Sequence, residues 1–141
     1  MKALQLSIFL ENQPGRLAEV MAVLARAGIN IRALSLADTS EFGVLRLIAD
    51  KLEAARAALN EQGFRAQVTE VAAVEVPDRP GALSRVLTAF HTAGVTVEYM
   101  YAYVAPSARG AIMIFRLSDS DLAVGALTPE LGRLVPAAEL A

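Results

Sequence analysis

The chain has 141 residues, of which 55% are hydrophobic and 20% charged, a balance that supplies a core and excludes a disordered protein. The formal charge of −2, from 13 basic and 15 acidic residues, provides no cationic surplus for a phosphate backbone and excludes a nucleic-acid-binding role. Cysteine is absent and no apolar run approaches the roughly 20 residues that span a bilayer, so we expect a soluble cytoplasmic protein without disulfides, thiolate metal sites or a membrane partner.

In the first half of the chain, apolar periodicity predicts the order β-α-β-β-α-β. Leu6 and Ile8 alternate with Gln5 and Ser7, and this period of two predicts a first strand with one buried face. Turn-forming residues separate the segments, and a glycine follows each helix. The predicted strands are Ala3–Leu10, Ile29–Ala37, Val44–Ile48 and Ala66–Glu70, and the predicted helices are Pro14–Ala27 and Lys51–Gln62.

The second half of the chain repeats the first. Residues Pro14–Ile31 align without a gap over Pro80–Val97, an offset of 66, and six of the 18 positions are identical. Most of the differing apolar positions exchange one core-forming side chain for another. One extra residue near Gly110 then aligns Phe42–Ile48 with Arg109–Phe115. The repeat predicts two copies of one module, residues 1–70 and 71–141.

The second copy is the less regular one. Its first strand is predicted at Ala72–Val76, whereas its second helix is weakened by glycine and proline. A last strand is predicted at Val135–Leu140, with Pro136 confining it to a sheet edge or a bulge. The expected fold class is α+β, with two ferredoxin-like βαββαβ modules whose antiparallel sheets carry helices on one face.

The motifs that connect strand, helix and strand resemble those of the ACT domain. The resemblance rests on ENQPGRL at Glu11–Leu17 with AGINI at Ala27–Ile31, and on PDRPGAL at Pro77–Leu83 with AGVTV at Ala93–Val97. ACT domains are regulatory modules of amino-acid metabolism and also occur in free-standing tandem proteins. The resemblance implies modules packed side by side in an eight-stranded sheet. It also implies an amino acid bound where the first turn of one module faces the second strand of the other.

The chemistry of the two Pro-Gly turns is compatible with such a site. A helix start leaves backbone N–H groups unpaired and carries a partial positive charge, so it can receive a carboxylate, and Gly15 or Gly81 permits close approach. In the alternative interpretation, Pro-Gly only starts the helix, and the side chain of Asn12 or Asp78 caps it.

The two turns differ in charge. The first has neutral Asn12 and cationic Arg16, whereas the second has Asp78 beside Arg79 and the small Ala82 in place of the arginine. We therefore expect a ligand carboxylate to prefer the first turn and an ammonium group to be drawn towards Asp78.

In the second copy, the second strand carries a stripe of tyrosines. Tyr99, Tyr101 and Tyr103 share one face of the strand, and Met100 and Ala102 share the other. If the methionine faces the helices, the tyrosines cover the open sheet face, where they line a ligand site or a subunit contact. Simple cross-strand packing is the alternative.

Motifs for catalysis are missing from the sequence. It has no phosphate-binding glycine loop and no GxSxG nucleophile motif, and its single histidine, His91, is expected on a solvated helix face. We therefore expect neither an enzyme nor a cofactor. The predicted function is an amino-acid sensor that regulates a partner enzyme or forms a homodimer; a scaffold that has lost the ligand is the alternative, and an enzyme on the same fold is a third. The predicted ligand-binding residues are Asn12, Gln13, Pro14, Gly15, Arg16, Leu17, Asn30, Ile31, Asp78, Arg79, Pro80, Gly81, Ala82, Leu83, Val97, Glu98, Tyr99, Met100 and Tyr101.

Overall fold

The structure is a computed structural model that describes residues 2–11, 13–38, 42–103 and 110–140. The chain divides into two units, each described here by itself. Module 1 is Leu4–Thr69, and module 2 is residues 2 and 3 together with Glu70–Leu140. The domain limits drawn from the sequence, 1–70 and 71–141, stay a prediction beside this division.

Module 1 has the βαββαβ order that its periodicities predict. Its strands are neighbours in the order β2-β3-β1-β4, and β3 is antiparallel to both β1 and β2. The helices connect β1 to β2 and β3 to β4, as in a ferredoxin-like fold. The elements are β1 (Ala3–Glu11), α1 (Arg16–Arg26), β2 (Ile31–Asp38), β3 (Phe42–Ala49), α2 (Leu52–Glu61) and the first half of β4 (Arg65–Val76).

The core of module 1 lies between its sheet and its two helices. Each strand contributes every second residue and each helix one apolar stripe, because strands and helices have periods of 2 and 3.6. Gly63, with a φ of +85°, ends α2 in the left-handed region, as its position in the sequence predicts. The buried members of this core are Leu6, Ile8, Leu10, Val20, Val23, Leu24, Ile29, Leu45, Leu47, Ala55, Leu59, Phe64 and Ala66.

The expectation that β1 has only one buried face was wrong. Leu6 and Ile8 are fully buried on the helix side, but Gln5 and Ser7 on the other side are also buried. A period of two shows which side chains share a face, whereas burial depends on what the folded chain places against that face. The polarity of Gln5 and Ser7 therefore did not predict that both side chains are buried.

Module 2 has the same order of elements with a shorter second half. Its strands are neighbours in the order β7-β4-β6-β5, and the pairs β4–β6, β4–β7 and β5–β6 are antiparallel. The predicted fold class of two ferredoxin-like modules is confirmed. Besides β4, the elements are α3 (Ala82–Thr92), β5 (Val97–Ala102), β6 (Ala111–Leu117), α4 (Ser120–Ala126), β7 (Arg133–Leu134) and α5 (Ala137–Leu140).

An aromatic pair lies at the centre of the module 2 core. The rings of Phe90 on α3 and Phe115 on β6 meet edge to face, with centroids 5.4 Å apart and an interplanar angle of 87°. Such T-shaped pairs contribute about 0.5–1.5 kcal/mol beyond the area that they bury. Phe90 is the repeat equivalent of Leu24, so the same position anchors both cores with a different side chain.

The prediction of a last strand at Val135–Leu140 was wrong. The strand, β7, is only two residues long and comes earlier, at Arg133–Leu134, and a helical turn, α5, follows. Pro136 explains the change, because it has no N–H to donate to a ladder while its carbonyl oxygen accepts from the Glu139 N–H at 3.0 Å. The helix before it, α4, has seven residues and is capped by the Asp119 side chain, which accepts from the Leu122 N–H at 3.1 Å.

The alignment of the third strands was wrong by one residue. Leu6 pairs with Leu47 in module 1, and its equivalent Ala72 pairs with Phe115 in module 2. Residue 47 therefore corresponds to residue 115, an offset of 68, so two extra residues separate the strands rather than one. A shift of one residue reverses the two faces of a strand, so only the corrected register places Phe115 in the core.

Candidate functional site

The first Pro-Gly turn connects β1 to α1 through a left-handed glycine. Gly15 has φ +88° and ψ −12° and is the N-cap of α1. The Gln13 N–H donates to the Glu11 carbonyl oxygen at 2.9 Å, and the Arg16 N–H donates to the Gln13 carbonyl oxygen at 3.3 Å. The Glu19 N–H then makes the first helical bond, to Gly15, at 2.9 Å. Among the described residues of the turn, these backbone hydrogen bonds hold its conformation.

The second Pro-Gly turn, from β4 to α3, has the same backbone geometry. Gly81 has φ +85° and ψ −11°. The Arg79 N–H donates to Pro77 at 3.0 Å, the Ala82 N–H to Arg79 at 3.2 Å and the Arg85 N–H to Gly81 at 3.1 Å. The repeat therefore preserves a conformation that only glycine adopts without strain.

A glycine N-cap leaves the helix start without a capping side chain of its own. The N–H groups of Leu17 and Ala18 in α1, and of Leu83 in α3, lie in the first turn, where a helix has no internal acceptor for them. Among the residues that the structure describes, nothing lies within 4 Å of the position that a Cβ would take at either glycine. Space is therefore free at the Cβ position of each turn glycine.

In the alternative interpretation, the Asp78 side chain caps α3, but the N-cap residue of this helix is Gly81. Asp78 lies three residues before the N-cap glycine and is exposed. Asn12, its predicted counterpart, lies outside the described residues.

In turn one, Arg16 already has local partners. Its Nη1 is 2.8 Å from the Glu19 carboxylate, and its guanidinium lies over the Phe64 ring, 4.8 Å from the centroid. Only 31% of the Arg16 side chain is exposed. Arg16, which the sequence analysis assigns to a ligand carboxylate, is thus already paired with the carboxylate of Glu19.

Turn two has a small side chain in place of the arginine and exposed charges of both signs. Ala82 is buried where turn one has its arginine, and Asp78 and Arg79 are exposed. A shallow crevice with no room for a water molecule lies beside the turn, between the start of α3 and the segment that follows α4. It is lined by Pro77, Arg79, Ala82, Arg85, Glu130 and Leu131.

The predicted strand residues lie far from the turn of their own module. Asn30 and Ile31 follow the C-terminal end of α1, and an 11-residue helix separates its two ends by about 16 Å. Asn30 is held by its N–H, which donates to Asp50 Oδ1 at 3.0 Å. In module 2, Val97 and Glu98 are related to the Gly81 turn in the same way. Within a module, therefore, the structure does not bring the two predicted halves of the site together.

The tyrosine stripe lies on the side of its sheet that faces away from the helices. Met100 packs against the helix-side core, opposite Phe115, whereas Tyr101 pairs across the strands with Ile114 and is 8% exposed. The Tyr103 hydroxyl donates a hydrogen bond to the Leu140 carbonyl oxygen.

Two features of these sheet faces were missed from the sequence. One is the contact of the last helical turn with Tyr103, which requires α5 where a strand was predicted. The other is a polar group in module 1, in which Gln5 Nε2 donates to Ser7 Oγ at 3.1 Å and Ser7 Oγ lies 3.2 Å from Thr69 Oγ1. Two polar residues at i and i+2 in an apolar strand are a signal for such a group, but they are equally typical of a solvated face.

The fold and its twin turns define a tandem pair of small α+β modules whose helix starts are built in the same way. The chain belongs to the ACT domain pair family, whose profile matches residues 1–130. No curated protein matches the chain. No helix among the described residues is long and apolar enough to cross a bilayer.

Several solved structures have the same fold as this chain. The chain is similar to protein BT0572 from Bacteroides thetaiotaomicron, with 39% identity, a TM-score of 0.90 and coverage of 99% of this chain and 96% of that one. It is also similar to the regulatory subunit of aspartate kinase from Thermus thermophilus, with 20% identity, a TM-score of 0.65 and coverage of 87% and 89%. For the corresponding subunit from Thermus flavus the values are 18%, 0.60, 89% and 90%. The last two similarities concern the fold alone.

Proposed function

We propose that this protein is a non-catalytic sensor that binds a free amino acid at a Pro-Gly turn and regulates a partner. The observation that supports the proposal is the pair of left-handed glycine N-caps, Gly15 and Gly81, with matching φ and ψ. Each leaves first-turn N–H groups without a capping side chain on the N-cap residue. A cytoplasmic location, and an interface between ACT modules as the place where the ligand is completed, stay predictions from the sequence and the resemblance.

The chemistry of an amino acid suits such a turn. A carboxylate at a helix start interacts with the dipole by about 0.3–1 kcal/mol, and each hydrogen bond to a charged group contributes about 1.5–3 kcal/mol. The ammonium group needs an acceptor or an anion nearby. The exposed carboxylate of Asp78, three residues before Gly81, supplies one at turn two.

Self-association through the edge of module 1 belongs to the same proposal. β2 is an edge strand, and its helix-side residues Leu34 and Leu36 are 42% and 50% exposed although they pair with the buried Leu47 and Leu45. Exposed apolar side chains along an unpaired strand edge favour pairing with another chain. We propose a second copy of this chain as that partner. A monomeric mass in solution, unchanged by Leu36→Lys, would contradict this part of the proposal.

A ligand-free scaffold is the second candidate function. One observation favours it: Arg16 is already paired with Glu19 and stacked on Phe64, so turn one has less free positive charge than the sequence suggests.

A thermal-shift screen with the common amino acids distinguishes the two functions. A ligand at a hundred times its dissociation constant stabilises the folded state by about 2.7 kcal/mol, which for a chain of this length raises Tm by about 5–10 °C. Gly15→Ala and Gly81→Ala should each reduce that shift if their turn binds, since a side chain there obstructs close approach. Gly28→Ala is the matched control, because Gly28 has φ +71° but lies at the other end of α1. A screen with no shift for any amino acid would favour the scaffold.

A further inference from the structure

The segment Val135–Leu140, here called the strap, crosses the face of module 2 that points away from α3 and α4. It begins beside β4, where the Val135 N–H donates to the Ala73 carbonyl oxygen at 2.8 Å. It ends at Leu140, whose carbonyl oxygen accepts from the Tyr103 hydroxyl just past the end of β5. Because β6 lies between β4 and β5, the strap passes over that strand.

The two ends of the strap are attached to the two ends of one cross-strand row. Arg133 on β7 lies opposite Glu75 on β4, and Glu75 lies opposite Ile112 on β6. The row ends at Tyr103, whose N–H donates to the Ile112 carbonyl oxygen at 2.8 Å. The strap therefore occupies the tyrosine side of the sheet along this row.

An ion pair and two apolar anchors hold the strap. Val135 and Leu140 are 1% and 3% exposed. Arg133 Nη2 lies 3.1 Å from the Glu139 carboxylate and 3.5 Å from the Glu75 carboxylate.

The Arg133 guanidinium is shared between a fixed carboxylate and a movable one. The Glu75 side chain is 8% exposed, whereas that of Glu139 is 51% exposed. If the strap leaves, Glu139 returns to water and Arg133 keeps its pairing with Glu75. Detachment of the strap therefore leaves no buried charge without a partner. An unpaired buried charge is the main cost of breaking a buried ion pair.

The strap is also weak in itself. Its helix α5 has four residues, a length that does not persist in water without tertiary contacts. Such a segment opens locally while the rest of its module stays folded. The family profile ends at residue 130, before the strap begins.

We propose that the strap is a displaceable cover over the Tyr103 end of the tyrosine side of module 2, with Arg133 and Glu139 as its latch. A tyrosine hydroxyl has one proton to donate, and here Tyr103 gives it to the Leu140 carbonyl oxygen. Any other acceptor for that proton must first displace the strap from Tyr103. This device is separate from the amino-acid site at the helix starts and does not depend on it.

Tyrosine fluorescence can measure the detachment of the strap. The chain has three tyrosines and no tryptophan, so its intrinsic emission comes from Tyr99, Tyr101 and Tyr103 alone. Acrylamide quenching of this emission measures how accessible the stripe is. Leu140→Asp should raise the quenching constant about twofold, because it places a charge at a buried anchor. Ala138→Asp adds the same charge at an exposed position of α5 and should leave the constant at its wild-type value.

Glu139→Gln tests the latch without touching the core. It should raise the quenching constant about 1.5-fold at low salt, and added NaCl should raise the wild-type constant but not that of Glu139→Gln. Far-UV circular dichroism confirms that each variant is folded, and if Leu140→Asp is not, the Glu139→Gln result decides. The proposal is overturned if Glu139→Gln and every folded Leu140→Asp sample quench like Ala138→Asp.

Discussion

The two modules agree closely at their helix starts and differ in their second halves. The φ angles of Gly15 and Gly81 differ by only 3°, although the surrounding charges are different. By contrast, α2 has ten residues and α4 seven, and module 2 closes its sheet with a two-residue strand. The comparison teaches that the backbone of the turn is under tighter constraint than its charge or the length of the second helix.

The largest expected loss of stability comes from the equivalent core positions of the two modules, Phe90 and Leu24. Phe90→Ala should lower the free energy of unfolding by about 3–5 kcal/mol, because it removes a buried ring and its edge-to-face partner. The equivalent Leu24→Ala should cost about 2–5 kcal/mol. Phe90→Leu, which gives module 2 the side chain of module 1, is the control and should cost less than Phe90→Ala. Urea unfolding measures all three, and a loss of less than about 1 kcal/mol in Phe90→Ala would contradict the role assigned to the buried ring.

The next effect tests whether the two turns are equivalent as backbone. Gly15→Ala and Gly81→Ala should each destabilise by about 1–2 kcal/mol, because a Cβ is strained at these positive φ angles although the space is open. Gly125→Ala is the control: it lies inside α4, is exposed and should stabilise by about 0.5–1 kcal/mol. A difference of more than about 1 kcal/mol between the two turn variants would show that their environments, and not φ alone, set the cost.

A smaller effect tests whether the turns differ in charge. Once an amino-acid ligand is identified, Asn12→Asp should weaken its binding at turn one about three- to tenfold by repelling the carboxylate. Asp78→Asn should weaken binding at turn two by a similar factor, because the ammonium group loses its anion. Isothermal titration measures both. Unchanged affinity in both variants would mean that neither side chain contacts the ligand.

The smallest expected effect concerns an ion cluster of module 2. Lys2 Nζ lies 3.0 Å from Asp121 and 3.2 Å from Glu70, and hydrogen bonds to Asp121 and then Glu70 raise the pKa of Lys2 above its ordinary 10.5. A raised pKa means that folding favours the protonated amine, so this stabilisation is complete below about pH 10.5 and disappears as the pH rises through the folded-state value. Thermal unfolding of Lys2→Met should therefore depend less on pH in that alkaline range. An identical alkaline profile in Lys2→Met and wild type would exclude this contribution.

Much of the fold was predictable because the signals are local. The two periods of apolar residues identify strands and helices, and a glycine after each predicted helix marks its end. The gapless repeat from Pro14 to Ile31 predicted two copies of one module, and Gly15 and Gly81 have matching positive φ angles. The alignment of the third strands was less predictable, since the repeat equivalent of Phe115 is Leu47 rather than the predicted Ile48.

The sequence by itself determined the order of elements as far as α4, the twin Pro-Gly turns and the residues that share a face in β1 and β5, because propensity and periodicity act between near neighbours. Only the tertiary structure decided that Gln5 and Ser7 are buried, that Arg16 lies over the Phe64 ring and that Leu140 meets Tyr103. Burial and pairing depend on residues distant in the chain, and the position of the helix after Pro136 determines whether Leu140 and Tyr103 meet. Local pattern carries no information about such contacts.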